Sequence, residues 1–151
     1  MKLNDITIKN YRSISELPIA IEEIAGKNCL ILLGINEAGK SNILKAISLA
    51  DTVEKIDYKI DCNKQAQDIN ESILVVYDLK AENDEIGELL VKTKLSNEFI
   101  EKIKVKKIER KIEFASDSTE KLDYYHIYIE DVKDFSNFIF DKTTNEVKTI
   151  I

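Results

Sequence analysis

One histidine, one proline, two cysteines and four glycines are spread over 151 residues, and no long apolar run interrupts them. With His126 as its only histidine, the chain has no histidine-rich metal centre. Cys29 and Cys62 are too few for a disulfide scaffold, and Cys29 stands in an apolar stretch. Both are therefore expected to be reduced thiols, which fits a cytoplasmic setting. The longest aliphatic run, residues 30–33, is far short of the roughly 20 residues that span a bilayer. The start, Met1-Lys2-Leu3-Asn4-Asp5-Ile6, lacks the apolar stretch of a signal peptide. Positive charge is not in excess either. With 22 basic and 28 acidic residues the formal net charge is −6, so no global field draws nucleic acid to the chain. One local exception runs from Lys102 to Lys111, where Lys102, Lys104 and Lys106 alternate with Ile103 and Val105. That pattern reads as the solvated face of a strand, since no aromatic residues are interleaved for stacking on bases. What the chain does have, 44% hydrophobic and 33% charged residues, describes a folded domain with a core of its own.

Hydrophobic period divides the chain. Ile6 and Ile8 alternate with Thr7 and Lys9, and Ile19 and Ile21 alternate with Ala20 and Glu22 after Pro18 at a strand start. Gly26-Lys27 signals a turn, and the unbroken run 29–33 reads as a strand buried on both faces. From Ser41 to about Ile56 the spacing is helical. Ile43, Ala46, Ile47, Leu49, Ala50 and Val53 face inward, with Ser41, Lys45, Ser48, Thr52 and Lys55 outward. Residues 57–71 are polar and read as a loop or short helix. A strand is expected over 73–79 and mostly helix over 84–102, with Ile86, Leu89, Leu90, Phe99 and Ile103 as candidate core. Period two returns from 103, and inward parity switches between Val105 and Ile108, which predicts a β-bulge near Lys106-Lys107. After a turn at Ser116-Asp117-Ser118 come a strand over 122–130 and a hairpin around Thr143-Thr144-Asn145. The close on Ile150-Ile151 is apolar, as expected of a fragment of a longer domain. The two resulting units are 1–56, core strands and first helix, and 57–151, a β-rich part with a helical insertion.

The most specific stretch is Gly34-Ile35-Asn36-Glu37-Ala38-Gly39-Lys40-Ser41, which satisfies the pattern G-x-x-x-x-G-K-[ST] at every fixed position. By chance the pattern would arise in roughly one chain in two hundred of this length. Two of the chain's four glycines occupy its fixed positions. Gly34 and Gly39 permit dihedrals and a close backbone approach that a Cβ obstructs. The loop N–H groups and the following helix N-terminus then converge on phosphate. Lys40 is suited to the β- and γ-phosphates, and the Ser41 hydroxyl to Mg²⁺, an oxygen-seeking ion that keeps several waters. ATP with Mg²⁺ is the ligand this pattern calls for.

The surroundings choose among P-loop proteins. Asn63-Lys64-Gln65-Ala66 lacks the carboxylate of a guanine reader, and Asp84-Glu85-Ile86-Gly87 reads as a helix start, so a GTPase is disfavoured. Ile6-Thr7-Ile8-Lys9-Asn10-Tyr11-Arg12-Ser13-Ile14, followed by the loop and by Asn42-Ile43-Leu44-Lys45-Ala46-Ile47, resembles the N-terminal part of an ABC-type ATPase head. The resemblance is to the RecF, SMC and overcoming-lysogenization-defect (OLD) group, whose members include DNA-repair, chromosome and phage-defence ATPases. It covers residues 6–47. It implies an α/β P-loop NTPase core with an antiparallel β-subdomain, truncated before the head is complete. It implies nucleotide contacts from Arg12, Asn36, Glu37, Ala38, Gly39, Lys40, Ser41 and Asn42, with Ser41 as the metal ligand and Tyr11 and Ser13 nearby. A second head as partner and DNA as eventual substrate come with it by family analogy. On elementary grounds Tyr11 offers a stacking surface, and Arg12 a charge with a planar fork.

Hydrolysis requires more than a cradle. Ile73-Leu74-Val75-Val76-Tyr77-Asp78 imitates a Walker B strand, but Leu79 stands where a glutamate belongs, so Asp78 reads as an outward strand residue. Leu95-Ser96-Asn97-Glu98 lacks the glycines of the ABC signature. Gln65 and Gln67 fall in polar sequence and read as merely exposed, and His126 among strand tyrosines reads as structural. No catalytic residue is therefore assigned to this chain. Two other classes remain open: a complete small P-loop NTPase or nucleotide kinase, and an interaction module with a vestigial loop.

Overall fold

The alternation at the start of the sequence becomes strand β1 (Lys2–Tyr11), in which Ile6 and Ile8 are fully buried. A computed structural model describes residues 1–33, 39–51, 56–93, 95–101, 103–116, 120–132, 135–142 and 146–150. Strand β2 (Ile14–Ala20) folds back on β1, with Thr7 opposite Pro18. Pro18 lies inside β2, not at its start. It is tolerated there because β2 is an edge strand, where a missing N–H removes no ladder bond. A small hairpin of β3 (Glu22–Ile24) and β4 (Lys27–Cys29) leads toward helix α1 (Lys40–Ser48). Two short helices, α2 (Tyr58–Asp61) and α3 (Lys64–Asp68), occupy the polar stretch before strand β5 (Ile73–Lys80). Helices α4 (Asn83–Lys92) and α5 (Asn97–Ile100) follow, then strands β6 (Lys104–Phe114), β7 (Leu122–Val132), β8 (Phe135–Asp141) and β9 (Glu146–Ile150).

The chain is mixed α/β, with one seven-stranded sheet in the order β2-β1-β5-β6-β7-β8-β9 and every pairing in it antiparallel. The β1–β2 hairpin before the glycine loop and the strands after residue 57 thus share one sheet. The expected bulge is present: the β6–β7 register shifts between Val105 and Lys107. The terminal hairpin is also as expected, pairing Phe140 with Val147 and Asp141 with Glu146. Its turn, residues 143–145, lies outside the described residues, as do Asp117, Ser118, Lys102, Val53, Thr52, Lys55 and the Phe99 side chain.

One core packs α1 on the sheet. Ala46, Leu49 and Ala50 meet Ile6, Ile8, Ile73, Val75, Tyr77, Ile112 and Phe114, with Ile43 and Ile47 partly buried beside them. A second gathers Leu89 and Leu90 of α4 with Ile108, Ile127 and Ile129. The opposite face of the sheet is a polar network. Asp5, Asp78, Glu109 and His126 stand in register across β1, β5, β6 and β7. Lys107 and Lys111 pair with Glu109, Tyr128 donates to Glu109 at 2.9 Å, and His126 stacks on Tyr128. Asp78, the imitation of a Walker B carboxylate, belongs to this face, where Asn4 donates to it at 3.1 Å.

Three expectations are corrected. The run 29–33 is not a buried strand: β4 ends at Cys29, and Leu30, Ile31 and Leu33 are 36%, 73% and 89% exposed. The physical reason is a lack of partners. Strand β4 pairs with three-residue β3 alone, so no described strand offers a ladder to residues 30–33. Helix α1 ends at Ser48 instead of continuing toward 56, tightening through an N–H bond from Leu49 to Ala46. The helix expected over 84–102 is broken at Thr93, leaving α4 and α5. The first begins with a reciprocal Glu82–Glu85 capping box.

Candidate functional site

Three segments distant in sequence meet at the N-terminal end of α1. The first is the sharp turn after β1, where Asn10 and Arg12 both adopt left-handed backbone angles, φ 58° and 52°. Such angles are costly for residues with a Cβ, by roughly 1–3 kcal/mol each. Bonds from the second segment, residues 61–63, hold the turn. Arg12 N–H donates to the Asp61 carbonyl at 2.6 Å, Asn63 N–H to the Asn10 carbonyl at 2.9 Å, and Asn63 Nδ2 to the Arg12 carbonyl at 3.0 Å. Tyr11 and Cys62 complete the contact as an isolated β-bridge.

The third segment is the start of α1. Gly39 precedes it at φ +82°, a left-handed angle that glycine adopts without strain. A Cβ built on Gly39 would lie 3.9 Å from Ser13 Oγ, so the turn 10–13 and the glycine face each other. Asn42 ties them together: its Nδ2 donates to Ser13 Oγ at 3.2 Å and its Oδ1 accepts from Arg12 Nη1 at 3.4 Å. Helices α2, α3 and α4 are capped by Asp57, Asn63 and Glu82, whereas among the described residues α1 has no side-chain cap and no acidic residue in its first turn. The positive end of its dipole therefore keeps its attraction for an anion.

Arg12 is held at this end by Asp61 and flanked by Tyr11. Its Nε and Nη2 donate to Asp61 Oδ1 at 2.8 and 2.7 Å, and its guanidinium carbon lies 5.3 Å from the Tyr11 ring centre. The hydrogen bond to Asp61 raises the Arg12 pKa and holds its charge firmly. Asp61 itself is buried, and its second oxygen accepts from Asp57 N–H at 3.2 Å.

The far end of α1 is also gripped. Tyr77 Oη donates to the Ile47 carbonyl at 2.7 Å, Arg110 Nη2 to Ala50 at 3.1 Å, and Lys121 Nζ to Leu49 and Ala50 at 3.2 and 3.1 Å. Cations at a helix C-terminus complement its dipole. Both ends of the helix are thus fixed to the sheet and its loops.

Of the residues expected to bind nucleotide, Arg12, Gly39, Lys40, Ser41 and Asn42 gather here. Asn36, Glu37 and Ala38 lie outside the described residues, as do Gly34 and Ile35. Ser41 is exposed in the first turn, where its hydroxyl is a hard oxygen donor suited to Mg²⁺ together with water and phosphate oxygens. Tyr11 is corrected: it is 2% exposed and belongs to the core, so it supports Arg12 from beneath and offers no open face to a base. Gln67 is structural, donating to the Lys59 and Cys62 carbonyls, and Gln65 is exposed. Among the described residues, no three His, Cys, Asp or Glu side chains form a metal-holding group, and no helix is long and apolar enough to cross a membrane. Asp61 and Asn63 were missed by sequence reasoning. The available signal was weak: Asp57 and Asn63 each stand where an N-cap belongs, which marks short helices but not their contact with Arg12.

No family model matches the sequence, and no curated protein matches it.

Proposed function

We propose that the N-terminal end of α1 binds the phosphates of ATP with Mg²⁺, and that the chain is the N-terminal part of an ABC-type ATPase head resembling the RecF, SMC and OLD group. The observation that carries this reading is the meeting of Arg12 and Ser13 with Gly39 and Asn42 at the helix start. In this reading Lys40 neutralises β- and γ-phosphate charge, Ser41 ligates Mg²⁺, and Arg12 adds a fork-shaped donor. Mg²⁺ held with the help of the Ser41 hydroxyl would supply positive charge that offsets the phosphates.

The chain's part in catalysis is positioning. In-line attack of water on the γ-phosphate needs a polarising carboxylate, and the one strand that imitates its carrier, β5, directs Asp78 onto the sheet face opposite α1. The exposed residues Leu30, Ile31 and Leu33, which precede the glycine loop in sequence, support a head completed by a further strand. ATP would then gate the engagement of two heads, with DNA as the eventual substrate by family analogy.

The test is thermal stabilisation by millimolar ATP–Mg²⁺ in the unsubstituted chain and in Lys40→Ala. The expected result is a clear rise in melting temperature for the first, and affinity lowered about tenfold or more in the second, the loss of one charge-assisted contact. Absence of any Lys40-dependent stabilisation sinks the nucleotide reading. Steady Lys40-dependent turnover by this chain alone sinks the half-site reading instead and favours a complete small NTPase.

A further inference from the structure

We infer that Asp61 is the positioning residue for Arg12, setting the guanidinium in the orientation that meets the phosphate chain of a bound nucleoside triphosphate. The inference rests on the phosphate-site reading above and adds to it a residue that no sequence motif marks.

The geometry divides the guanidinium into two edges. Asp61 Oδ1 takes Nε and Nη2, the side edge. The terminal edge includes Nη1, and Nη1 reaches Asn42 in the first turn of α1. An arginine held by its side edge keeps its terminal edge directed at a fixed place, here the start of the helix. The Tyr11 ring lies 5.3 Å from the guanidinium carbon, and turning the guanidinium away would break both bonds to Asp61.

Asp61 is itself immobilised. It is 8% exposed, ends α2, and has Asp57 N–H on its second oxygen, while its backbone carbonyl accepts from Arg12 N–H. The same residue therefore fixes both the backbone and the side chain of Arg12. A carboxylate also offsets the arginine charge, so Arg12 contributes direction more than bulk attraction. That combination favours a ligand able to accept a fork, a phosphate, over a simple anion.

The experiment is a double-mutant cycle on ATP–Mg²⁺ affinity, measured calorimetrically with the unsubstituted chain, Asp61→Ala, Arg12→Ala and the double variant. If Asp61 acts through Arg12, Asp61→Ala weakens ATP about tenfold in the Arg12 background and leaves affinity unchanged in the Arg12→Ala background. Asp61→Asn keeps the side-chain volume and replaces Asp61→Ala if the latter does not fold. Its effect too must vanish in the Arg12→Ala background. Equal losses in both backgrounds, or none in either, overturn the positioning role while leaving the phosphate site standing. A chain with no Lys40-dependent ATP binding at all overturns the phosphate reading and this inference together.

Discussion

Replacing Ile8 by alanine is expected to destabilise the fold by about 3 kcal/mol, within the range for deleting a fully buried aliphatic side chain. Ile8 has 0% exposure in β1, between β2 and β5, and belongs to the cluster on which α1 packs. Its loss removes apolar burial and leaves a cavity that strands bonded on both sides cannot close. For a domain of this size each kcal/mol moves the melting temperature by about 2–4 °C, so the expected drop is roughly 6–12 °C. The matched control is Leu33→Ser. Leu33 is as apolar but 89% exposed, so the change is expected to stay within about 0.5 kcal/mol. Urea unfolding of both variants checks the pair. A small loss at Ile8 with a large one at Leu33 would mean that the buried and open parts of this chain have been interchanged.

That pair of residues also shows where the sequence is informative. Around Ile8, alternation with Thr7 and Lys9 states both the strand and its buried side, because a half-buried sheet imposes period two. The bulge at Lys106 was legible for the same reason: an extra residue reverses the parity of every position after it. Around Leu33 no alternation exists. An unbroken apolar run states only that burial is favourable, and whether it occurs depends on what else packs there. The described residues supply no such neighbour.

The candidate site divides similarly. Gly39, Lys40 and Ser41 point to the proposed site from sequence alone because a phosphate cradle would need fixed residue types at fixed spacing. The meeting of Arg12 and Asn42 was implied by resemblance alone. Asp61 was not legible, since its partner lies 49 residues away and a polar stretch gives no period from which to infer contact. Helix α2, which ends in it, is also below the length at which hydrophobic spacing is informative.

At the opposite end of α1, Asp123→Asn is expected to cost about 2–3 kcal/mol at neutral pH, between the values for exposed and fully buried ion pairs. Asp123 accepts from Arg110 Nε and Nη2 at 3.0 and 2.8 Å, with Lys142 3.7 Å away, and the two paired side chains are 13% and 21% exposed. Without the carboxylate, Arg110 loses the bonds that aim it at the Ala50 carbonyl, and its cation keeps only the exposed Asp51 carboxylate, 4.0 Å from Nη1, as a counter-charge. Burial alone would push the Asp123 carboxyl up, but the hydrogen bonds and charge of Arg110 outweigh it and hold the pKa below its ordinary value. A carboxyl depressed in the folded state stabilises fully above its unfolded pKa, about 3.9, and loses that contribution as pH falls through the folded value. The stability gap between the unsubstituted chain and Asp123→Asn should therefore be constant from pH 7 to about 5 and narrow below about 4. Glu109 is also depressed, since Lys107, Lys111 and Tyr128 outweigh its burial, but it is present in both chains and cancels in the difference. Urea unfolding at a series of pH values measures the gap. If the gap stays constant down to the acid limit of folding, the cost of Asp123→Asn does not come from the ion pair, and the hold on the C-terminal end of α1 would have to rest on Lys121 and on Tyr77 of β5 instead.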